Sequence, residues 1–160
     1  MGPPSRAGIA AVATLPGDAW SDRTGAAGGA LAWLEVPLSS RLAITARAGL
    51  VLHAPATIEA GAHLWLLEAP VLGGIRLALP RAGRLHAIAG GDIGLVVAHE
   101  RATLAGVAEG DTSLRFGADL VVGLAFDRVA VEVGPRIADR TDLHHTLGLQ
   151  VTAAVRLRSW

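Results

Sequence analysis

The sequence has no cysteine, lysine, asparagine or tyrosine, and aromatic residues make up only 4% of it. Without cysteine there is neither a disulfide framework nor a thiolate metal site. All 14 basic residues are therefore arginine, and 14 acids balance them to a formal net charge of zero. That balance lacks the basic excess of a nucleic-acid binder, so no nucleic-acid partner is expected. The joint loss of Lys, Asn and Tyr reads as codon bias in a GC-rich genome rather than as chemistry. Long hydrophobic runs are missing too. The most apolar stretch, Leu64 to Leu79, is broken by Glu68, Pro70, the Gly73-Gly74 pair and Arg76, short of the roughly 18 apolar residues a spanning helix needs. No signal peptide is legible, because Met1 to Arg6 leads into Ala-Gly-Ile-Ala-Ala-Val with no long apolar segment. A mature or truncated N-terminus is expected from this.

What remains is unusually apolar. Hydrophobic residues make up 51% of the chain and the mean hydropathy is +0.44, above the usual range for a soluble domain. At 160 residues, 1–160 is expected to form a single domain. An apolar chain without a spanning helix is either a greasy soluble fold or a transmembrane β-barrel, whose signal per segment is weak.

Periodicity points to strands. From Arg41 to His53, Leu42, Ile44, Ala46, Ala48, Leu50 and Leu52 share one parity, while Arg41, Thr45, Arg47 and His53 share the other. This period of two marks a strand between unlike environments. Leu114, Phe116, Ala118, Leu120, Val122, Leu124 and Phe126 likewise oppose Ser113, Arg115, Gly117, Asp119 and Gly123. Val129, Val131, Val133 and Ile137 oppose Arg128, Glu132, Gly134 and Arg136, and the last run sets its leucines and valines against Thr146, Gly148, Gln150, Thr152 and Arg156. Two central runs mix Leu64, Leu66, Leu72, Ile88 and Val96 into the charged parity of Glu68, Arg76, His86, Asp92 and Glu100. The first two runs, rich in Ala and Gly, fix no parity.

Turn signals divide the chain into eight strand-like runs near 6–15, 25–37, 41–53, 63–79, 84–99, 112–126, 128–138 and 145–158. Short connections (38–40, 80–83, 127) alternate with longer ones (16–24, 54–62, 100–111, 139–144). None reads as the helical crossover of a dozen or more residues that parallel strands need. The expected fold is all-β: an eight-stranded antiparallel up-and-down transmembrane barrel with short periplasmic turns and longer extracellular loops. Bulges are expected at Pro70 and Pro135, which remove ladder donors.

In such a barrel the charged parity faces inward. The lumen would then hold Glu35, Glu68, Asp92, Asp119 and Glu132 with Arg47, Arg76, Arg115, Arg136 and Arg156. Near-balanced signs let these groups pair where a lone charge would be costly. Inward glycines such as Gly90 and Gly134 leave room for long arginines, and eight strands leave an interior roughly filled by side chains rather than an open pore.

The passages Leu66-Leu67-Glu68-Ala69-Pro70-Val71-Leu72, Gly74-Ile75-Arg76-Leu77 and Ala87-Ile88-Ala89-Gly90-Gly91-Asp92-Ile93-Gly94 resemble the Leu-Glu-x-Pro-aliphatic strand and Gly-rich strand of the outer-membrane β-barrel domain family of Gram-negative bacteria. The aromatic C-terminal residue, Trp160, is also similar to that family's ending. The resemblance implies a location in the bacterial outer membrane, contact with its lipid, and recognition of the C-terminal strand and Trp160 by the barrel-assembly machinery.

Other constellations take the plainer reading. His144-His145 with Asp139 and Asp142 matches no strong metal-ligand spacing, and Asp92, His86 and Ser113 form a triad only if geometry brings them together. No catalytic residue, metal or cofactor is expected. The function that follows is a porin-like outer-membrane barrel without an open pore, with a structural or loop-mediated role and an unassigned loop partner. The alternative is a soluble lipocalin-like barrel around an apolar small molecule, which requires the aliphatic parity to face inward.

Overall fold

The computed structural model describes residues 4–17, 25–57, 62–82, 84–104, 107–139 and 145–159. Alternating side chains make every element a strand: β1 (Arg6–Pro16), β2 (Ala27–Pro37), β3 (Leu42–Thr57), β4 (Ala62–Ala82), β5 (Leu85–Leu104), β6 (Val107–Phe126), β7 (Val129–Asp139) and β8 (His145–Ser159). Each pairs antiparallel with its sequence neighbour, and β1 pairs with β8 to close the barrel. Closure leaves no barrel edge to template further pairing.

Short turns gather at one end. Ser39 Oγ accepts from the Leu42 amide at 3.0 Å and from the Arg41 amide at 3.2 Å, tightening the β2–β3 connection. Between β6 and β7, Phe126 pairs with Val129 across Asp127 and Arg128, and Asp127 takes φ 46°. Aspartate tolerates that left-handed conformation in a two-residue hairpin turn. Arg6 pairs with both Glu35 and Ser159, so the start of β1 and the end of β8 lie at this same end.

At the opposite end the structure corrects the expected boundaries. Residues 100–111 are not a long loop: β5 continues to Leu104 and β6 begins at Val107, in register from Glu100↔Asp111 to Leu104↔Val107. β3 and β4 also extend, to Thr57 and from Ala62. From Glu109 to Thr112 every side chain is exposed. With no contrast between faces, the hydrophobic alternation that marks a strand in sequence disappears while the backbone ladder persists.

The prolines also behave differently from expectation. The β3–β4 ladder passes from Ala48↔Val71 to Val51↔Glu68 with register unchanged, and β6–β7 passes from Asp119↔Arg136 to Val122↔Val133. Pro70 and Pro135 thus each sit where rungs lapse, not at a bulge. The bulges fall instead at Ala7/Gly8, His53/Ala56 and Ala78/Arg81. Beside Pro135, a Cβ on Gly134 would lie 1.8 Å from the Leu120 carbonyl oxygen, so glycine is what permits the close backbone approach there.

The aliphatic parity points outward. Leu120 is 65% exposed, Ile93 and Val71 are 62% exposed, and Ile44, Ile75, Leu114, Val122 and Leu124 join them. Arg47, Glu68, Arg76, Asp92, Arg115, Asp119, Glu132 and Arg136 are buried. This is the reverse of what a lipocalin-like carrier needs, and the arrangement expected of a barrel in lipid. In the two mixed runs the charged parity is the inward one, and its apolar members Leu64, Leu66, Leu72 and Val96 are buried in the lumen. The Ala-rich strands contribute Val12, Ala27 and Leu31, which cluster with Val51.

Candidate functional site in the barrel lumen

Arg47 on β3 and Glu132 on β7 are four strands apart in a ring of eight, on opposite sides of the lumen. Their side chains nevertheless meet, with Arg47 Nη2 donating to Glu132 Oε2 at 2.5 Å. Arg76 on β4 donates to the same carboxylate from Nε and Nη2, both at 3.1 Å, and from Nη1 to Asp92 Oδ2 at 3.2 Å. Arg47 Nε lies 3.5 Å from Asp92 Oδ2, and the Thr45 hydroxyl donates to Asp92 Oδ1 at 2.5 Å. One compact cluster of two guanidiniums and two carboxylates therefore bridges the interior. Charge-assisted and partly bidentate bonds of this kind are the strong ones.

Glycine makes room for it. A Cβ on Gly90 would lie 2.5 Å from Arg76 Nη1, and one on Gly74 would lie 2.4 Å from Asp92 Oδ1.

A second group lies further toward the extended strands. Arg136 Nη2 donates to Glu68 Oε2 at 2.7 Å, and His53 Nε2 is 3.4 Å from the same oxygen. Arg115 pairs with Glu100, its Nε also donating to Ser113 Oγ at 3.1 Å. Thr45, His53, Glu100 and Ser113 were missing from the expected network. Thr45 and His53 share the parity of Arg47, so the alternation already pointed to them. Glu100 also shares the charged parity of its run, but its place at the start of the 100–111 connection kept it out of the expected lumen set.

Of the ten residues expected to form the network, Glu35 and Arg156 stand apart. Glu35 pairs with Arg6 at 3.1 Å, and Arg156 donates to the Asp127 carbonyl at 2.7 Å near the short-turn end.

Asp119 is buried with the others, but neither carboxylate oxygen makes a hydrogen bond among the described residues. Its register partner across β5–β6 is Asp92. Five carboxylates (Glu68, Asp92, Glu100, Asp119, Glu132) face four guanidiniums (Arg47, Arg76, Arg115, Arg136), leaving Asp119 as the surplus. Asp119→Asn is expected to raise the urea midpoint of the refolded barrel, because the amide can donate to Asp92 where a carboxylate repels it. A gain of about 1–2 kcal/mol is reasonable, below the roughly 4 kcal/mol of unit charges 4 Å apart at an effective dielectric near 20. A fall in midpoint would show that Asp119 has a role in pairing.

The imagined triad does not assemble. Ser113 pairs in register with Ala98, twelve residues along β5 from His86, or about 40 Å at 3.3 Å per residue. The side chains of the Asp139, Asp142, His144 and His145 cluster lie outside the described residues, as does Trp160. Trp33 is turned inward over Gly8 and donates to the Ile9 carbonyl at 3.3 Å, whereas Trp65, Phe116 and Phe126 are exposed on the outer surface.

Comparison with solved structures finds this fold among bacterial outer-membrane proteins. Ail, the attachment invasion locus protein of Yersinia pestis, matches with a TM-score of 0.63 at 8% identity over 98% of this chain and 100% of its own. Neisserial surface protein A matches at 0.52 and 14% identity, over 96% and 95% of the two chains. The N-terminal β-barrel domain of Pseudomonas aeruginosa OprF matches at 0.51 and 10%, over 98% and 100%. No protein-family model matches the sequence. No curated protein matches it either. The protein has the fold of the small eight-stranded outer-membrane barrels.

Proposed function

We propose that the protein is an integral barrel of the bacterial outer membrane with a structural or loop-mediated interaction role and a lumen closed to solutes. The observation that carries this reading is the Arg47–Glu132 contact across the full width of the barrel, reinforced by Arg76 and Asp92. A solute moving along the axis would have to break paired, buried charges that water no longer solvates. The outer band of leucine, valine and isoleucine gives the barrel its lipid partner. The C-terminal strand β8, which closes the ring against β1, is the element the assembly machinery would engage together with Trp160. No partner is assigned to the connections at the extended end.

Solute flux tests the closed lumen. Vesicles reconstituted with the refolded barrel are expected to swell in small sugars no faster than protein-free vesicles. Steady sugar uptake that scales with the amount of barrel would reject the reading.

A further inference from the structure

The ionic cluster closes the lumen at one level only. Between it and the short-turn end lies a cavity of about 850 Å³, a volume typical of small-molecule sites. Its wall explains the empty space: Ala10, Ala43, Ala78, Ala125, Ala130 and Ala154 line it where longer side chains would have filled it. Its floor is the paired Arg47, Arg76 and Glu132, so the cavity is a blind cup and not part of a channel.

The rim of the cup is basic. Arg6, Arg41, Arg84, Arg128 and Arg156 contribute to it against Glu35 and Asp127, five positive charges to two negative. Both acids are already engaged, Glu35 by Arg6 at 3.1 Å and Asp127 by Arg84 at 3.8 Å. The guanidiniums of Arg41 and Arg128 have no acceptor among the described residues. Several guanidinium forks around one concave mouth are matched to an oxyanion that can accept from more than one of them, and phosphate geometry suits the fork bidentately. A concave mouth with a net positive charge also concentrates its counter-ion.

We propose that this cup is a binding site for a phosphate-bearing anion, held by Arg41 and Arg128 with support from Arg84 and Arg156. Two sources supply that chemistry: a soluble polyphosphorylated molecule entering the cup, or the headgroup of an anionic phospholipid reaching the rim from the surrounding leaflet. Only the headgroup source rests on the membrane reading above; binding of a free phosphate by the folded barrel does not, so the two can fail separately.

The test is calorimetric titration of the full chain, folded in maltoside micelles, with inorganic tripolyphosphate. Saturable binding of one anion per barrel is expected, weakening as salt rises. Arg41→Gln should weaken it about tenfold, and Arg41→Gln with Arg128→Gln by about a further tenfold, as charge-assisted bonds are lost. Neither arginine belongs to the ionic cluster, so the urea midpoint of these variants should match that of the parent. Arg101→Gln, on the opposite end, should leave binding unchanged. A second arm dopes the micelles with phosphatidylglycerol or with phosphatidylcholine. Displacement of tripolyphosphate by the glycerol lipid alone assigns the site to a headgroup, and binding insensitive to both assigns it to a soluble anion. Absence of saturable binding in both arms, or binding that survives the double substitution, overturns the proposal.

Discussion

Replacing Glu132 by leucine is expected to destabilise the barrel by about 3–5 kcal/mol, the scale seen when one partner is removed from a buried ion pair. Glu132 accepts from Arg47 at 2.5 Å and from two nitrogens of Arg76 at 3.1 Å. Without it, Asp92 is the remaining carboxylate of the cluster for both guanidiniums, and Arg47 Nη1 is already buried with no hydrogen-bond partner among the described residues. The leucine also cannot restore the span from β7 to β3 and β4. Glu132→Gln should fall between the two, since the amide oxygen can still accept from Arg76 while the charge is lost. Urea unfolding in phospholipid, followed by tryptophan fluorescence, reads the difference. A Glu132→Leu midpoint equal to that of the parent would mean that the cross-lumen pairs do not hold the fold together.

Substituting arginine for Leu120 should cost about 2–4 kcal/mol, the penalty for a cation on the lipid face near the membrane midplane. Leu120 is 65% exposed on the outer wall, about midway along the outward band of β6 that ends at Phe126. Leu157 is equally bare at 64% but lies on β8 beside Arg156 and Arg158, close to the terminal end of the barrel. Leu157→Arg should therefore cost only about 0–1 kcal/mol, as expected near an interface. The contrast between the two positions is what matters. Water around the outer wall would make both substitutions nearly neutral, and a difference that follows depth requires lipid.

The orientation of the barrel was legible wherever strands separate two environments. In β3, β6 and β7 the alternation of Arg47, Asp119 and Glu132 with aliphatic neighbours is the alternation of lumen and outer wall. It failed where that contrast fails. The extension of β5 and β6 beyond the barrel wall is exposed on both faces from Glu109 to Thr112, so its residues read as a loop and Glu100 was not seen as the partner of Arg115. In β1 and β2, alanine and glycine suit either face, which left the Arg6–Glu35 pair invisible. Parity also says which side a residue faces but nothing of its height along the axis. For this reason Glu35 and Arg156 were grouped with charges that lie deeper in the lumen, and the alanine-walled cup that separates these levels was read as filled space.

The absence of native cysteine allows the central orientation to be measured with one engineered label. A nitroxide attached through Leu120→Cys, in the barrel reconstituted into phospholipid bilayers, can be exposed in turn to dissolved oxygen and to a water-soluble nickel chelate. With the aliphatic wall in lipid, oxygen relaxes the label strongly and the chelate hardly at all. Strong relaxation by the chelate would place Leu120 in water and contradict the membrane orientation.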